Sequence, residues 1–250
     1  GDHRGASGAR DHRKRGVMAE YNYAVAPLRT VLKADLMAAQ SISMVAHIRP
    51  TWSNDGERLS FGVLPADPAN SAQPGLVLDC QSNRTFGGAY NAVGCSFRHG
   101  AGFTFQGAAS PPSDVTPDAW LWIGAVIRLN INPMQLYLYD RPSTAVPWAL
   151  RWGPISVGAG PSYFSPQTAA DALFIGNRRT WFTPNPAPTD ERWPGGVASA
   201  SLRIGNGVGF IPGGTEVAEW HPTPPQTNYT DAYGNEWELN GPTWRFGTVS

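Results

Sequence analysis

Trp120-Leu121-Trp122-Ile123-Gly124-Ala125-Val126-Ile127-Arg128-Leu129, followed after Asn130-Ile131-Asn132-Pro133 by Gln135-Leu136-Tyr137-Leu138-Tyr139-Asp140, decides the fold class. The second half of the first segment is apolar at successive positions, which is the pattern of a central strand covered on both faces. The second segment alternates with period two, so Leu136 and Leu138 share one face. A four-residue turn between them makes the pair a β-hairpin with those two leucines toward the core.

The same signal recurs along the chain. Ser43–Arg49 alternates and is stopped by Pro50; Arg58–Leu64 alternates and is stopped by Pro65. Further strands are expected at Leu76–Cys80, Gly94–His99, Phe103–Gln106, Trp148–Trp152, Ala172–Gly176, Val197–Ile204 and Val217–Trp220. Many short strands punctuated by Gly, Pro, Asn and Asp predict a sandwich or barrel. One stretch has helical spacing: Pro27–Gln40, with Leu28, Leu32 and Leu36 on one side. The expectation is an all-β, antiparallel sandwich with one short N-terminal helix.

Composition agrees. The 250 residues hold 28 glycines and 23 prolines, rich in turn-formers, and only 15% charged residues against roughly 25% in an average chain. Formal net charge is zero, which argues against a dedicated nucleic-acid binder, because phosphate binding draws on an excess of Lys and Arg. No apolar run reaches the ~20 residues of a membrane span. Of 19 Lys and Arg only Lys14 and Lys33 are lysine, leaving 17 arginines, the bias of a GC-rich genome.

Residues 1–17 carry Arg4, Arg10, Arg13, Lys14 and Arg15 with almost nothing apolar. Such a segment cannot offset its ordering entropy by burial and is expected to be a disordered basic arm. No apolar run follows it, so it does not read as a secretory signal. Residues 18–41 read as an N-terminal extension, 42–220 as the sandwich, and 221–250 as a tail, with Trp220, Trp237 and Trp244 expected to dock onto the sandwich or a partner.

Linear catalytic and metal-binding motifs are scarce. His-Glu-x-x-His and Gly-x-Ser-x-Gly are missing. Gly205-Asn206-Gly207-Val208-Gly209 follows a strand but opens no helix, so it reads as a turn. His3, His12, His47, His99 and His221 make no metal-ligand spacing, and His47 reads as a packed mid-strand residue. No cofactor is expected; a structural calcium would draw on Asn54, Asp55 and Asp79. Cys80 and Cys95 stand near each other on neighbouring strands, bridged or free.

Two acidic pairs deserve weighing. Asp190-Glu191 sits in a Pro-rich loop. Glu236 and Glu238 stand at alternate positions, on one strand face with Trp237 opposite, as glycosidase carboxylates do and as a solvated face does. The ten tryptophans are the better lead. Trp120, Trp122 and Trp152 fall in strands and read as core. Trp181 and Trp193 sit in a Pro-rich loop beside Arg178, Arg179, Asp190 and Arg192. That mix suits sugar binding or a protein interface, or packs against a sheet edge.

The order of segments resembles concanavalin-A-like jelly rolls of the laminin-G type: Ala46–Pro50, Trp120–Val126, Leu136–Asp140, Leu173–Arg178 and Gly195–Ile204 stand in sequence as that family has them. The stretch Tyr229-Thr230-Asp231-Ala232-Tyr233-Gly234-Asn235-Glu236-Trp237-Glu238-Leu239-Asn240-Gly241 is similar to a segment usually found near the start of such domains, here displaced to the C terminus. A laminin-G-like domain with this tail resembles minor tail or appendage proteins of phages of GC-rich bacteria. The resemblance implies a non-enzymatic virion module, on the particle surface, partnered by other virion proteins and by cell-surface polysaccharide, self-associating or part of a larger assembly, and binding neither nucleic acid nor membrane. A glycan-active hydrolase of the same fold and a non-viral carbohydrate-binding module are the alternatives.

Overall fold

A computed structural model describes residues 14–17, 23–50, 58–64, 75–81, 92–98, 116, 118–157, 172–176, 195–205, 211–221, 228–240 and 245–248. In chain order the elements are β1 (Lys14–Val17), β2 (Tyr23–Pro27), α1 (Thr30–Ala38), β3 (Ser41–Arg49), β4 (Arg58–Leu64), β5 (Gly75–Gln81), β6 (Ala92–Arg98) and β7 (Leu121–Arg128). They continue with β8 (Met134–Arg141), β9 (Ala149–Val157), β10 (Ala172–Gly176), β11 (Gly196–Gly205), β12 (Thr215–Trp220), β13 (Asn228–Thr230), β14 (Glu236–Asn240) and β15 (Arg245–Thr248). One sheet runs β15-β1-β11-β3-β7-β8-β9, with β12 also paired to β11; the other runs β13-β14-β2-β10-β4-β5-β6. Every pairing is antiparallel, from β1 on β11 to β8 on β9. The protein is therefore an antiparallel β-sandwich of the jelly-roll kind.

The core lies between the sheets. β3 contributes Ile42, Met44, Ala46 and Ile48; β7 contributes Ile123, Ala125 and Ile127; β8 contributes Met134, Leu136 and Leu138. Phe61 and Val63 of β4, Leu173 and Ile175 of β10 and Ala24 and Ala26 of β2 face them from the other sheet. Strict period-two alternation puts each set on one side, and burying a large aliphatic or aromatic side chain stabilises by about 1.5–3 kcal/mol. Helix α1 sets Leu32 and Leu36 into the same core; Val31 and Met37 lie on its exposed side.

Outward positions of the central strands are covered too, as the unbroken apolar run of β7 predicts. Val126, Tyr137 and Tyr139 form a small second cluster on the outer face, with Trp148 against it.

The tryptophans are distributed differently from the sequence reading. The core parity of β7 is odd-numbered, so Trp122 points outward and is half-buried; Trp120 is half-buried as well, and Trp152 on the edge strand β9 is 44% exposed. Among the described residues the core tryptophans are Trp220 and Trp237, at 0% and 1% exposure. Residues 14–17 form an edge-side strand beside β15 and β11. Residues 228–240 supply the two strands β13 and β14 to the same sheet as β4. Register pairs Cys80 with Val93 and Cys95 with Leu78, so the cysteines are two positions out of register. Phe103–Gln106, Asn54, Asp55 and residues 1–13 lie outside the described residues.

Candidate binding surfaces

The segment Asp231–Trp237 builds the first surface. Asp231 follows β13 directly and is buried. Its Oδ1 accepts the backbone N–H of Tyr233 at 2.9 Å and of Asn235 at 2.8 Å. Its Oδ2 accepts the N–H of Glu219 at 3.0 Å, Asn235 Nδ2–H at 2.8 Å and the indole Nε1–H of Trp237 at 3.3 Å. Five donors satisfy one buried carboxylate, which is how a buried charge is tolerated without a counter-ion. Gly234 takes φ +79 in the turn, a left-handed conformation that L side chains rarely adopt.

Asn235 extends the clasp. Its Nδ2 donates to Val217 O at 3.1 Å, and its Oδ1 accepts Arg29 Nε–H at 3.2 Å; Arg29 also donates to Tyr233 O. Arg29 is the N-cap of α1 yet makes no side-chain cap bond there; its guanidinium serves the hairpin instead. Tyr233 OH donates to Glu216 at 2.9 Å, and Tyr229 OH accepts His221 N–H at 2.9 Å. β12 of one sheet, the β13–β14 hairpin of the other and the start of α1 are thus fastened together at one place. Within it, burial, and then the hydrogen bond and charge of Glu216 and the charge of Asp231, push the Glu219 carboxyl above its usual range.

On the hairpin's outer side Asn228 lies opposite Glu238 and Thr230 opposite Glu236. These four, with Pro27, Tyr229 and Trp237, line an open groove of about 380 Å³. Glu236 and Glu238 are both exposed and Trp237 between them is buried, as the period-two reading requires. Tyr229 and Trp237 stack beneath with centroids 6.5 Å apart, and burial pushes the Tyr229 hydroxyl well above its usual range. The floor is aromatic, and the wall is polar.

The second surface is the outer face of the other sheet. Register aligns Ser199, His47, Trp122 and Arg141 across β11, β3, β7 and β8. His47 and Trp122 stack in parallel at 4.4 Å, and Trp120 lies on the other side of His47 at 4.9 Å. Arg49 sits over Trp120 with Cζ 5.7 Å from the ring centre. Arg141 sits between Trp122 at 5.5 Å and Trp148 at 4.3 Å. A ring spacing so close to the strand spacing of about 4.8 Å means the His47 and Trp122 planes stand upright on the sheet. Each cation lies over a ring face, its favoured position on the quadrupole.

Pro212 closes the middle of this face. An added Cβ on Gly124 would meet Pro212 Cγ at 2.7 Å and Trp148 Cη2 at 3.3 Å, so the missing side chain is what admits them. Gly213 N–H donates to Ser43 Oγ at 3.4 Å. Beneath, burial, and then neighbouring Tyr137, push the Tyr139 hydroxyl up to about 12. Arg203 at the far side is bound by Glu216 at 2.5 Å.

The loop residues singled out in the sequence, Arg178, Arg179, Trp181, Asp190, Arg192 and Trp193, lie outside the described residues. The connection that carries them leaves β10 in one sheet and enters the other at Gly196, which pairs with Arg49. β11 and β12 pair antiparallel, so the Gly205–Gly209 stretch lies on the connection between two paired strands; residues 206–209 are outside the described residues. Among the described residues no group of three His, Cys, Asp or Glu is arranged to hold a metal ion. The stack of Arg49, Trp120, His47, Trp122 and Arg141 escaped sequence reasoning because its members come from separate strands; the only linear signal was His47 on a strand whose inward parity is even.

No protein-family model and no curated protein matches the chain. Solved structures of similar fold include a heptameric SAP-like pentraxin from Limulus polyphemus, at 12% identity and TM-score 0.48 over 78% of this chain and 77% of that one. The CBM40 of the Ruminococcus gnavus IT-sialidase aligns at 11% identity and TM-score 0.45 over 77% of this chain and 90% of that one. A leech intramolecular trans-sialidase aligns at 11% identity and TM-score 0.40, over 75% of this chain and 26% of that one. At such identities a likeness concerns the fold alone.

Proposed function

We propose that the protein is a non-catalytic adhesion module that binds a neutral, hydroxyl-rich cell-surface glycan in the β13–β14 groove, as an appendage of a phage particle. The observation that carries the binding reading is the ordered polar wall of the groove. Asn228, Thr230, Glu236 and Glu238 sit as two directly opposed pairs on a short hairpin, and the Asp231 clasp holds that hairpin in place. Carboxylate and amide oxygens accept sugar hydroxyls, the Asn228 amide donates back, and Pro27 supplies apolar contact. Preorganised groups lose little entropy on binding, which favours affinity in a shallow site. A groove of about 380 Å³ is at the small end of ligand sites.

The paired carboxylates also support a second reading, hydrolysis, because they share one face and one groove. Acid–base pairs work when burial separates the two carboxyls chemically. Here both are exposed, which favours binding. The virion placement draws on the arginine bias and on the tail-protein resemblance, and such an appendage is expected to assemble symmetrically.

A glycan array and a hydrolysis assay on bacterial cell-wall polysaccharide, run together, test this reading. Expected are binding of neutral glycans, its loss in Asn228→Ala and Glu238→Gln, and no release of reducing ends. Turnover that Glu238→Gln abolishes would overturn it. Absence of the chain from purified particles would remove the virion placement and leave a free adhesin.

A further inference from the structure

We propose that the outer face of the β3–β7–β8 strands is a second, separate binding site, for a carboxylate-bearing polysaccharide gripped by Arg49 and Arg141 at the two ends of the ring stack. The outward positions of these three strands hold Arg49, Arg128 and Arg141 and no acidic residue. In a chain with 19 basic and 19 acidic side chains, that is a segregated positive field.

Arg203 is already neutralised by Glu216. Arg49 and Arg141 are held by ring faces, and the Nε of each is sealed from solvent without a hydrogen-bond partner. Among the described residues neither forms an ion pair. Burial, and then the charge of Arg203, push the Arg141 guanidinium below its usual range, as for a cation short of counter-charge.

The geometry also selects the ligand. The ring faces are consumed by one another and by guanidinium, so they offer no platform to a nucleobase or to an apolar sugar face. What the upright rings present outward is their edges, the positive part of the quadrupole. Edges and guanidinium groups together favour an anion. Arg49 and Arg141 stand on strands either side of β7 and two residues apart in register, about 12 Å from each other. One carboxylate cannot span that distance; a chain carrying a carboxylate on successive sugars engages both, each as a planar fork on a planar acceptor.

The experiment titrates the full chain with polygalacturonate, with dextran as the neutral polymer and oligo(dT) as the nucleic acid, by calorimetry at low and high salt. Expected is binding of polygalacturonate that weakens at least about tenfold at high salt and falls at least about tenfold in Arg49→Gln/Arg141→Gln. Arg49→Lys/Arg141→Lys keeps the charges and removes the planar forks, so it binds several-fold more weakly than the parent while staying salt-dependent; that drop decides the matter if the glutamine variant does not fold, and parental affinity in the lysine variant would then overturn the proposal. Asn228→Ala and Glu238→Gln leave this binding unchanged, so failure of the groove and failure of this face are told apart. No binding of polygalacturonate, equal binding of dextran, tighter binding of oligo(dT), or full affinity in a folded glutamine variant would each overturn the proposal.

Discussion

Asp231→Asn is the sharpest test of the clasp. The substitution keeps size and shape and replaces one carboxylate oxygen by an NH₂. Oδ1 can still accept the Tyr233 and Asn235 backbone donors. On the other side, the new amide hydrogens face three donors: Glu219 N–H, Asn235 Nδ2–H and Trp237 Nε1–H. Asn235 and Trp237 are 0% and 1% exposed, so water cannot replace the lost acceptor. A buried donor left unpaired costs about 1–3 kcal/mol. Discounting the more accessible Glu219 amide, the two remaining donors lose about 2–6 kcal/mol together, and for a chain of this size about 5–20 °C of melting temperature. Scanning calorimetry and urea unfolding measure it. Glu236→Gln, on the exposed side of the same hairpin, is the control and should change stability by less than about 0.5 kcal/mol. If Asp231→Asn costs no more than that control, the carboxylate is not the fastening and the groove's rigidity has another origin.

Three further outcomes follow from the same geometry. Gly124→Ala forces Pro212 and Trp148 apart and should cost about 1–3 kcal/mol, with a shift in tryptophan emission on thermal unfolding curves; wild-type stability would mean the Pro212 cover is loose. Glu219 has a folded pKa raised above its unfolded value, so the folded state holds its proton more tightly and stability drains away as pH rises through that raised value. Glu219→Gln should therefore melt higher than the parent at about pH 8, with the gap closing near pH 4; a constant gap would refute the assignment. Cys80 and Cys95 are diagonal across β5 and β6, a spacing of about 7–8 Å that exceeds comfortable disulfide reach. Mass spectrometry of the alkylated, unreduced protein should find two free thiols.

Strands whose alternation is long and apolar were legible in the chain itself: β3, β4, β7, β8, β10 and β11 begin and end within about two residues of their expected bounds. Lys14–Val17, Tyr23–Pro27 and Arg245–Thr248 were not. Each is too short to show a period, and each exists because partners on the sheet supply its hydrogen bonds. The tail reads as separate in sequence because Pro and Asn surround it; in space β14 pairs with β2, two segments from opposite ends of the chain. Tryptophan identity misled where strand parity decides: Trp122 sits one residue from two core positions and faces out, whereas Trp237 faces in. The alternate spacing of Glu236 and Glu238 put them correctly on one face. Their groove was invisible, since Pro27 and the Asp231 clasp come from contacts that no local pattern encodes.

Net charge shows how such invisibility arises. A sum of zero argues against a dedicated nucleic-acid binder, because phosphate binding draws on an excess of Lys and Arg. Binding responds to the distribution instead. Glu216, Glu219, Asp231, Glu236 and Glu238 gather on β12 and the β13–β14 hairpin, while the outward positions of β3, β7 and β8 are basic or neutral. The fold separates charges that the sequence interleaves. One consequence is that the two proposed sites discriminate against each other's ligand: the carboxylates of the groove repel an acidic glycan, and the ring stack gives a neutral one no open face. A single module can then hold two chemically distinct surface polymers at once, with specificity set by mutual exclusion as much as by attraction.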